Sequence, residues 1–194
     1  MDKKEKLINI IFIILEIVGI SLTATTIKKL GVEYYTQDSN MFALIIGLIY
    51  LYYLINNKKI AHSIAVLRLM SVLGLSVTFL VVLFILLPMT SFNFMFMFGG
   101  ASFFLHLACP VLLFIIYMKY DKKVELSNKE VLLSLLFTII YSIILISLNI
   151  LKLVEGPYPF LMVYKQGVIM SIVWYLLIVG GAFLLAKLLY KIKR

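Results

Sequence analysis

The chain has 194 residues, of which 63% are hydrophobic and only 14% are charged, and its formal net charge is +9. With a mean hydropathy of +1.09, the composition excludes an ordinary soluble domain and indicates a polytopic membrane protein. The basic residues lie at the ends of apolar runs, which is typical of membrane-orientation signals and argues against a nucleic-acid-binding surface.

Six apolar segments follow one another with short connections. A membrane-spanning helix needs about 20 mostly apolar residues. The segments are Leu7–Ile27, Met41–Ile55 (starting nearer Thr36), Ile64–Leu87, Ala101–Met118, Val131–Leu151 and Val168–Tyr190. The first run shows no Ala-x-Ala cleavage site after it, so we expect an uncleaved span. The sequence predicts an all-α integral membrane protein, with six transmembrane helices in one bundle that forms a single domain over residues 1–194.

The distribution of basic residues predicts the orientation of the bundle. All 18 Lys and Arg residues except Lys28, Lys29, Lys152 and Lys165 fall on one side of the six spans. The positive-inside rule then places both termini in the cytoplasm. Lysine outnumbers arginine, and Ile, Asn and Tyr are abundant, which favours an AT-rich bacterial genome and hence the bacterial cytoplasmic membrane.

His106 is the most informative residue, because it lies in the apolar fourth segment. An ionisable side chain inside the membrane is costly and marks a candidate functional site. Pro110 follows four residues later and has no N–H, so the His106 carbonyl loses its normal helical partner. We therefore expect the fourth helix to be interrupted near His106. At 1.5 Å per residue from Gly99, His106 lies about 10 Å below the outer surface.

Other polar residues converge on the same outer half of the bundle. The second span opens with a polar run that contains Thr36, Asp38, Ser39 and Asn40. Trp174 lies at a depth similar to that of His106 in the sixth span, and the connection before that span contains Tyr158. A catalytic hydroxyl or thiol must lie within hydrogen-bond reach of a base. His106 is the candidate base. Thr36, Ser39 and Cys109 compete as nucleophiles, and the chemistry alone does not choose between Thr36 and Ser39.

The remaining ionisable and reactive residues are less specific. Glu16 lies near the middle of the first span, where it is either a protonated structural carboxyl or a proton or cation site. Cys109 is the single cysteine, so no disulfide framework is expected, and a lone buried cysteine is usually a small hydrophobe. The sequence has no nucleotide-binding or zinc-binding motif. We therefore expect neither a metal nor a cofactor.

Several motifs occur in a fixed order over residues 30–185: Tyr35-Thr36-Gln37-Asp38-Ser39-Asn40, Leu67-Arg68-Leu69, His106-x-x-x-Pro110 and Gly156-Pro157-Tyr158-Pro159-Phe160. In this order they resemble the family of androgen-induced proteins and androgen-dependent TFPI-regulating proteins, which has a large bacterial branch of six-span membrane proteins. The resemblance implies a membrane hydrolase of fatty-acid esters of hydroxy fatty acids, with a threonine nucleophile and a histidine. By position these residues are Thr36 and His106. Asp38 departs from the Thr-x-Gln-Ser-Asn pattern of the bacterial branch, so the resemblance does not identify which ester is the substrate.

We therefore interpret the chain as a hydrolase of lipid or fatty-acyl esters near the outer leaflet. Thr36 would attack the carbonyl and His106 would take its proton, while Asp38, Ser39, Asn40, Tyr158 and Trp174 would bind the substrate. One alternative is a small-solute transporter or a substrate-capturing membrane subunit, with Glu16, His106 and Trp174 in its pocket. Another is a non-enzymatic scaffold. An enzyme requires the Thr36 hydroxyl near a His106 nitrogen, whereas hydrogen bonds from His106 to backbone carbonyls alone favour the scaffold.

Overall fold

The computed structural model describes residues 3–27, 33–121 and 124–193, and the regular secondary structure of these residues is helical. Six helices form the bundle: α1 (Lys3–Ile27), α2 (Tyr35–Ile55), α3 (His62–Met89), α4 (Phe103–Lys119), α5 (Asn128–Ile150) and α6 (Val168–Lys193). Short helical turns lie in the connections at Met95–Phe98, Pro159–Leu161 and Val163–Gln166.

Each predicted apolar segment coincides with one helix. Five of the helices are long and apolar enough to cross a membrane, and α4, with its π turn of 6 residues and α-helix of 11, is shorter. The chain is thus an all-helical protein with several potential membrane spans. The second helix begins at Tyr35, which is close to the expected start near Thr36. Lys28 and Lys29, on which the predicted orientation partly rests, lie outside the described residues.

The helices differ greatly in how much of their surface the bundle covers. In α3, 67% of the most apolar stretch is buried, whereas in α6 only 6% is buried. α3 is therefore the central helix and α6 is peripheral. In water the exposed face of α6 would be costly, but in a bilayer lipid covers an apolar helix face without penalty. This difference in burial is what a membrane bundle requires.

Two helices contain a π turn directly ahead of a proline. In α3 the turn Val82–Leu86 precedes Pro88, and in α4 the turn Phe103–Ala108 precedes Pro110. Proline has no N–H to donate and its ring clashes with the preceding turn, so a wider turn relieves the helix at that point. His106 itself lies in the π turn of α4, so the regular α-helical hydrogen bonding is interrupted there. The bend of α4 near His106 that Pro110 also predicts stays a prediction.

A buried ion pair joins α3 to the end of α4. The Arg68 Nε donates to Asp121 Oδ2 at 2.7 Å, and Arg68 Nη2 donates to the Asn9 side-chain oxygen of α1 at 2.7 Å. The guanidinium also stacks on the Tyr50 ring of α2 at 4.6 Å. The side chains of Arg68 and Asp121 are 1% and 3% exposed. This group therefore holds four elements of the bundle together at one end.

Candidate functional site

A tyrosine from α5 fixes the first turn of α2. The Tyr35 backbone N–H donates to the Tyr141 hydroxyl at 3.0 Å, and this hydroxyl donates to the Glu33 carbonyl at 2.7 Å. The first N–H groups of a helix have no partner within the helix, so Tyr141 takes the part of a capping residue. Thr36 is thereby held at the buried start of α2.

A narrow cavity of about 60 Å³ lies beside Thr36, enclosed by α2, α3, α5, α6 and the connection before α6. Most of its wall is aliphatic or aromatic. The hydroxyl groups on the wall are partly engaged with one another, as in the pair of Tyr35 and Thr138, whose oxygens are 2.7 Å apart. A slender apolar group fits such a space better than a polar or bulky one.

Tyr158 and Trp174 line the same cavity as Thr36. The Tyr158 hydroxyl lies beside the side chain of Thr36. The Tyr158 ring stacks on Phe160 at 5.2 Å, and Phe160 contacts Trp174 at 5.8 Å between ring centroids. Burial raises the pKa of Tyr158, and the neighbouring Thr36 lowers it by a smaller amount. Tyr158 is therefore a neutral O–H donor at physiological pH.

The His106 ring contacts a backbone carbonyl. Its Nδ1 lies 2.5 Å from the Phe96 carbonyl oxygen. A carbonyl only accepts, so Nδ1 carries the proton and, in the neutral ring, Nε2 keeps the lone pair. Among the described residues, no hydrogen bond joins His106 to Thr36, and His106 does not line the cavity. The contact with a backbone carbonyl is the arrangement expected of a structural histidine.

Ser39 and Asn40 point into the bundle rather than into the cavity. The Ser39 hydroxyl is 3.0 Å from the Thr78 hydroxyl of α3. The Asn40 side-chain nitrogen donates to the Thr36 carbonyl at 2.7 Å and to the Leu105 carbonyl at 3.3 Å. These two residues therefore tie the start of α2 to α3 and to the π turn of α4.

Asp38 lies on another side of α2. It lines an open groove of about 650 Å³ between α2 and α5, together with Glu33 and a largely apolar floor. The structure thus brings Thr36, Tyr158 and Trp174 together around the cavity, and it places Asp38 apart from them.

Several residues that build the site were not identified from the sequence. The hydroxyls of Tyr35 and Thr138 pair on the cavity wall, and the Tyr141 hydroxyl bonds backbone groups at the start of α2. Tyrosines are abundant in this chain, so neither tyrosine stood out. The position of Tyr35 directly before Thr36 was the one usable indication.

The described residues contain no group of three His, Cys, Asp or Glu side chains placed to hold a metal ion. Comparison with protein-family models, with curated proteins and with solved structures finds no match for the chain. The resemblance to the androgen-induced protein family therefore rests on the sequence motifs themselves.

Proposed function

We propose that this chain is a six-span membrane protein, with both termini in the cytoplasm, that binds the acyl chain of a lipid ester and hydrolyses the ester at Thr36. The observation that carries the proposal is the position of Thr36 on the wall of a largely apolar cavity, beside the neutral hydroxyl of Tyr158. The resemblance of the sequence motifs to the androgen-induced protein family also supports Thr36 as the nucleophile and His106 as the base.

The orientation is tested by labelling single cysteines in intact cells. In a Cys109→Ala background, Lys4→Cys and Lys191→Cys place a thiol on exposed positions near each end of the chain. An impermeant thiol reagent should label neither residue until the membrane is opened. Strong labelling of either one in intact cells would refute cytoplasmic termini.

The proposed reaction uses three side chains and a water molecule. The Thr36 Oγ forms a bond to the ester carbonyl carbon while its proton passes to His106 Nε2. The ester C–O bond breaks, and the alcohol leaves with that proton. Water then releases the fatty acid from Thr36 by the reverse proton transfers. Tyr158 donates a hydrogen bond to the developing oxyanion, a contribution worth about 3 kcal/mol.

His106 has one half of the geometry that this reaction requires. Donation from Nδ1 to the Phe96 carbonyl fixes the tautomer that leaves Nε2 as the base, which is the role of the third residue in a catalytic triad. The other half, contact between Nε2 and Thr36, requires the His106 ring to move toward Thr36.

A non-catalytic lipid-binding protein is the second candidate. The contact of His106 with a backbone carbonyl favours it, because this hydrogen bond also satisfies a purely structural histidine. In that case the cavity still takes an acyl chain, but Thr36 and His106 do not act on it.

Two measurements on purified protein distinguish the candidates. Trp174 is the single tryptophan and lines the cavity, so a brominated acyl ester should quench its fluorescence saturably, and the unbrominated ester should compete. Hydrolysis of a medium-chain acyl ester is then compared in the wild type, Thr36→Ala, His106→Ala and their double variant. The matched control is Thr90→Ala, since Thr90 does not line the cavity and its hydroxyl donates to the Leu86 and Leu87 carbonyls.

The hydrolase predicts that Thr36→Ala and His106→Ala each lose most of the activity and that the double variant loses no more, because residues that act as a unit fail together. Thr90→Ala should keep wild-type activity. Saturable quenching with equal hydrolysis in all of these proteins would establish the lipid-binding alternative. Quenching that is neither saturable nor competed would refute both.

A further inference from the structure

Glu16 is a carboxyl group in the interior of the bundle that the proposed reaction does not use. It lies in α1, its side chain is 0% exposed, and neither of its carboxylate oxygens has a hydrogen-bond partner among the described residues. The described salt bridges do not include it. A carboxylate that is buried with neither a cation nor a donor is among the most costly states in a protein.

A second unpartnered acceptor faces the same stretch of α4. The side-chain oxygen of Asn40 is buried without a partner, while its nitrogen donates to the Leu105 carbonyl. Glu16 lies beside the side chain of Cys109, one turn beyond Leu105 on α4. The interior at this level therefore holds an excess of hydrogen-bond acceptors, and the Cys109 thiol is a weak donor.

The packing one turn from Glu16 is tight and disfavours a hydrated ion there. One turn along α1, a Cβ added to Gly19 would lie 2.7 Å from Leu105 Cδ2 and 2.7 Å from Phe104 Cβ. A cation would need five or six oxygen ligands and the space to arrange them. A proton on the carboxyl requires no added volume and supplies a strong O–H donor.

We propose that Glu16 is an intramembrane proton-binding site, in which the carboxyl group holds H⁺ and lies against Cys109 of α4. The buried cation Arg68 is paired with Asp121 and does not form a described salt bridge with Glu16. Cys109 is the titratable side chain that acts on Glu16 directly. The site does not depend on Thr36 or His106, so it stands whether or not the chain hydrolyses esters.

Infrared spectroscopy of the purified protein tests the proposal. A protonated carboxyl gives a C=O stretching band that carboxylates lack and that shifts in D₂O. The wild type should show this band at neutral pH and lose it at strongly alkaline pH. Glu16→Gln should lack the band, and the matched control Glu155→Gln, which removes an exposed carboxylate paired with Lys165, should keep it.

A second measurement uses only the wild-type protein, so it does not depend on whether Glu16→Gln folds. Uniform ¹³C labelling of the glutamates in the wild type should move the same band, while ¹³C labelling of the aspartates should leave it in place. A folded sample with no such band at neutral pH would overturn the proposal. A band that persists in Glu16→Gln, or that moves only with labelled aspartate, would overturn it as well.

Discussion

Removal of the Asp121 carboxylate should destabilise the bundle more than any exposed substitution of the same kind. Asp121→Asn leaves the Arg68 guanidinium charged, almost fully buried and without its counter-ion. Breaking a buried pair in this way costs about 3–5 kcal/mol. A chain of this size loses roughly 2–4 °C in Tm for each kcal/mol, so the expected fall is about 6–20 °C.

The protein contains its own probe for this measurement. Cys109 is the single cysteine and is 0% exposed, so a thiol-reactive dye reports unfolding as that residue becomes accessible on heating. Glu155→Gln is the matched control, because it breaks an exposed pair with Lys165, and exposed ion pairs contribute little to stability. The double variant Arg68→Met, Asp121→Leu should recover much of the loss, since no unpaired charge remains. If Asp121→Asn had the same Tm as Glu155→Gln, the reasoning would be refuted.

Gly19→Ala should lower the free energy of unfolding by about 1–3 kcal/mol, and Tm with it, because the new Cβ clashes with the Cβ of Phe104 and forces α1 away from α4. Gly180→Ala, where nothing lies within 4 Å of the added Cβ, should raise the free energy of unfolding by about 0.5–1 kcal/mol. If Gly19→Ala melted above Gly180→Ala in the thiol assay, the close contact between α1 and α4 would be wrong. The hydrogen bond from Lys165 holds the pKa of Glu155 below its usual range. The pair therefore stabilises the folded state at pH values above the ordinary glutamate pKa. This stabilisation is lost as the pH falls through the lowered pKa of Glu155. Lys165→Met should raise the pKa of Glu155 toward its ordinary value in an NMR titration, and an unchanged pKa would show that Lys165 is not the cause.

The six helices were predictable because apolar length is a local property of the sequence. Each predicted segment matches one helix, and the largest shifts at the helix starts arise where polar residues join the first turn, as at Tyr35 and Lys3. The interruption in α4 was predictable for the same reason, since Pro110 removes a donor wherever it occurs in a helix. The matching π turn before Pro88 follows from the same chemistry.

Contacts between helices were harder to predict, because they depend on how each helix is rotated about its axis. Thr36 and Asp38 are two residues apart in α2, yet one lines the cavity and the other lines the open groove. His106 was expected opposite Thr36, but its nearest partner is a carbonyl in the connection before α4. The partners of Arg68 come from three other parts of the chain, and no spacing in the sequence connects them.

The shortness of α4 has a consequence for the surrounding lipid. Seventeen residues rise about 25 Å, roughly 5 Å less than the hydrocarbon thickness of a typical bilayer. Hydrophobic mismatch of this kind is relieved by local thinning of the bilayer or by apolar residues that continue the crossing. The exposed side chains of Phe92, Phe94 and Phe98 directly precede α4 and carry no charge. In the proposed six-span arrangement, membrane thickness therefore acts on the end of α4 that carries His106, and a thicker bilayer pulls on the same turn that holds its ring.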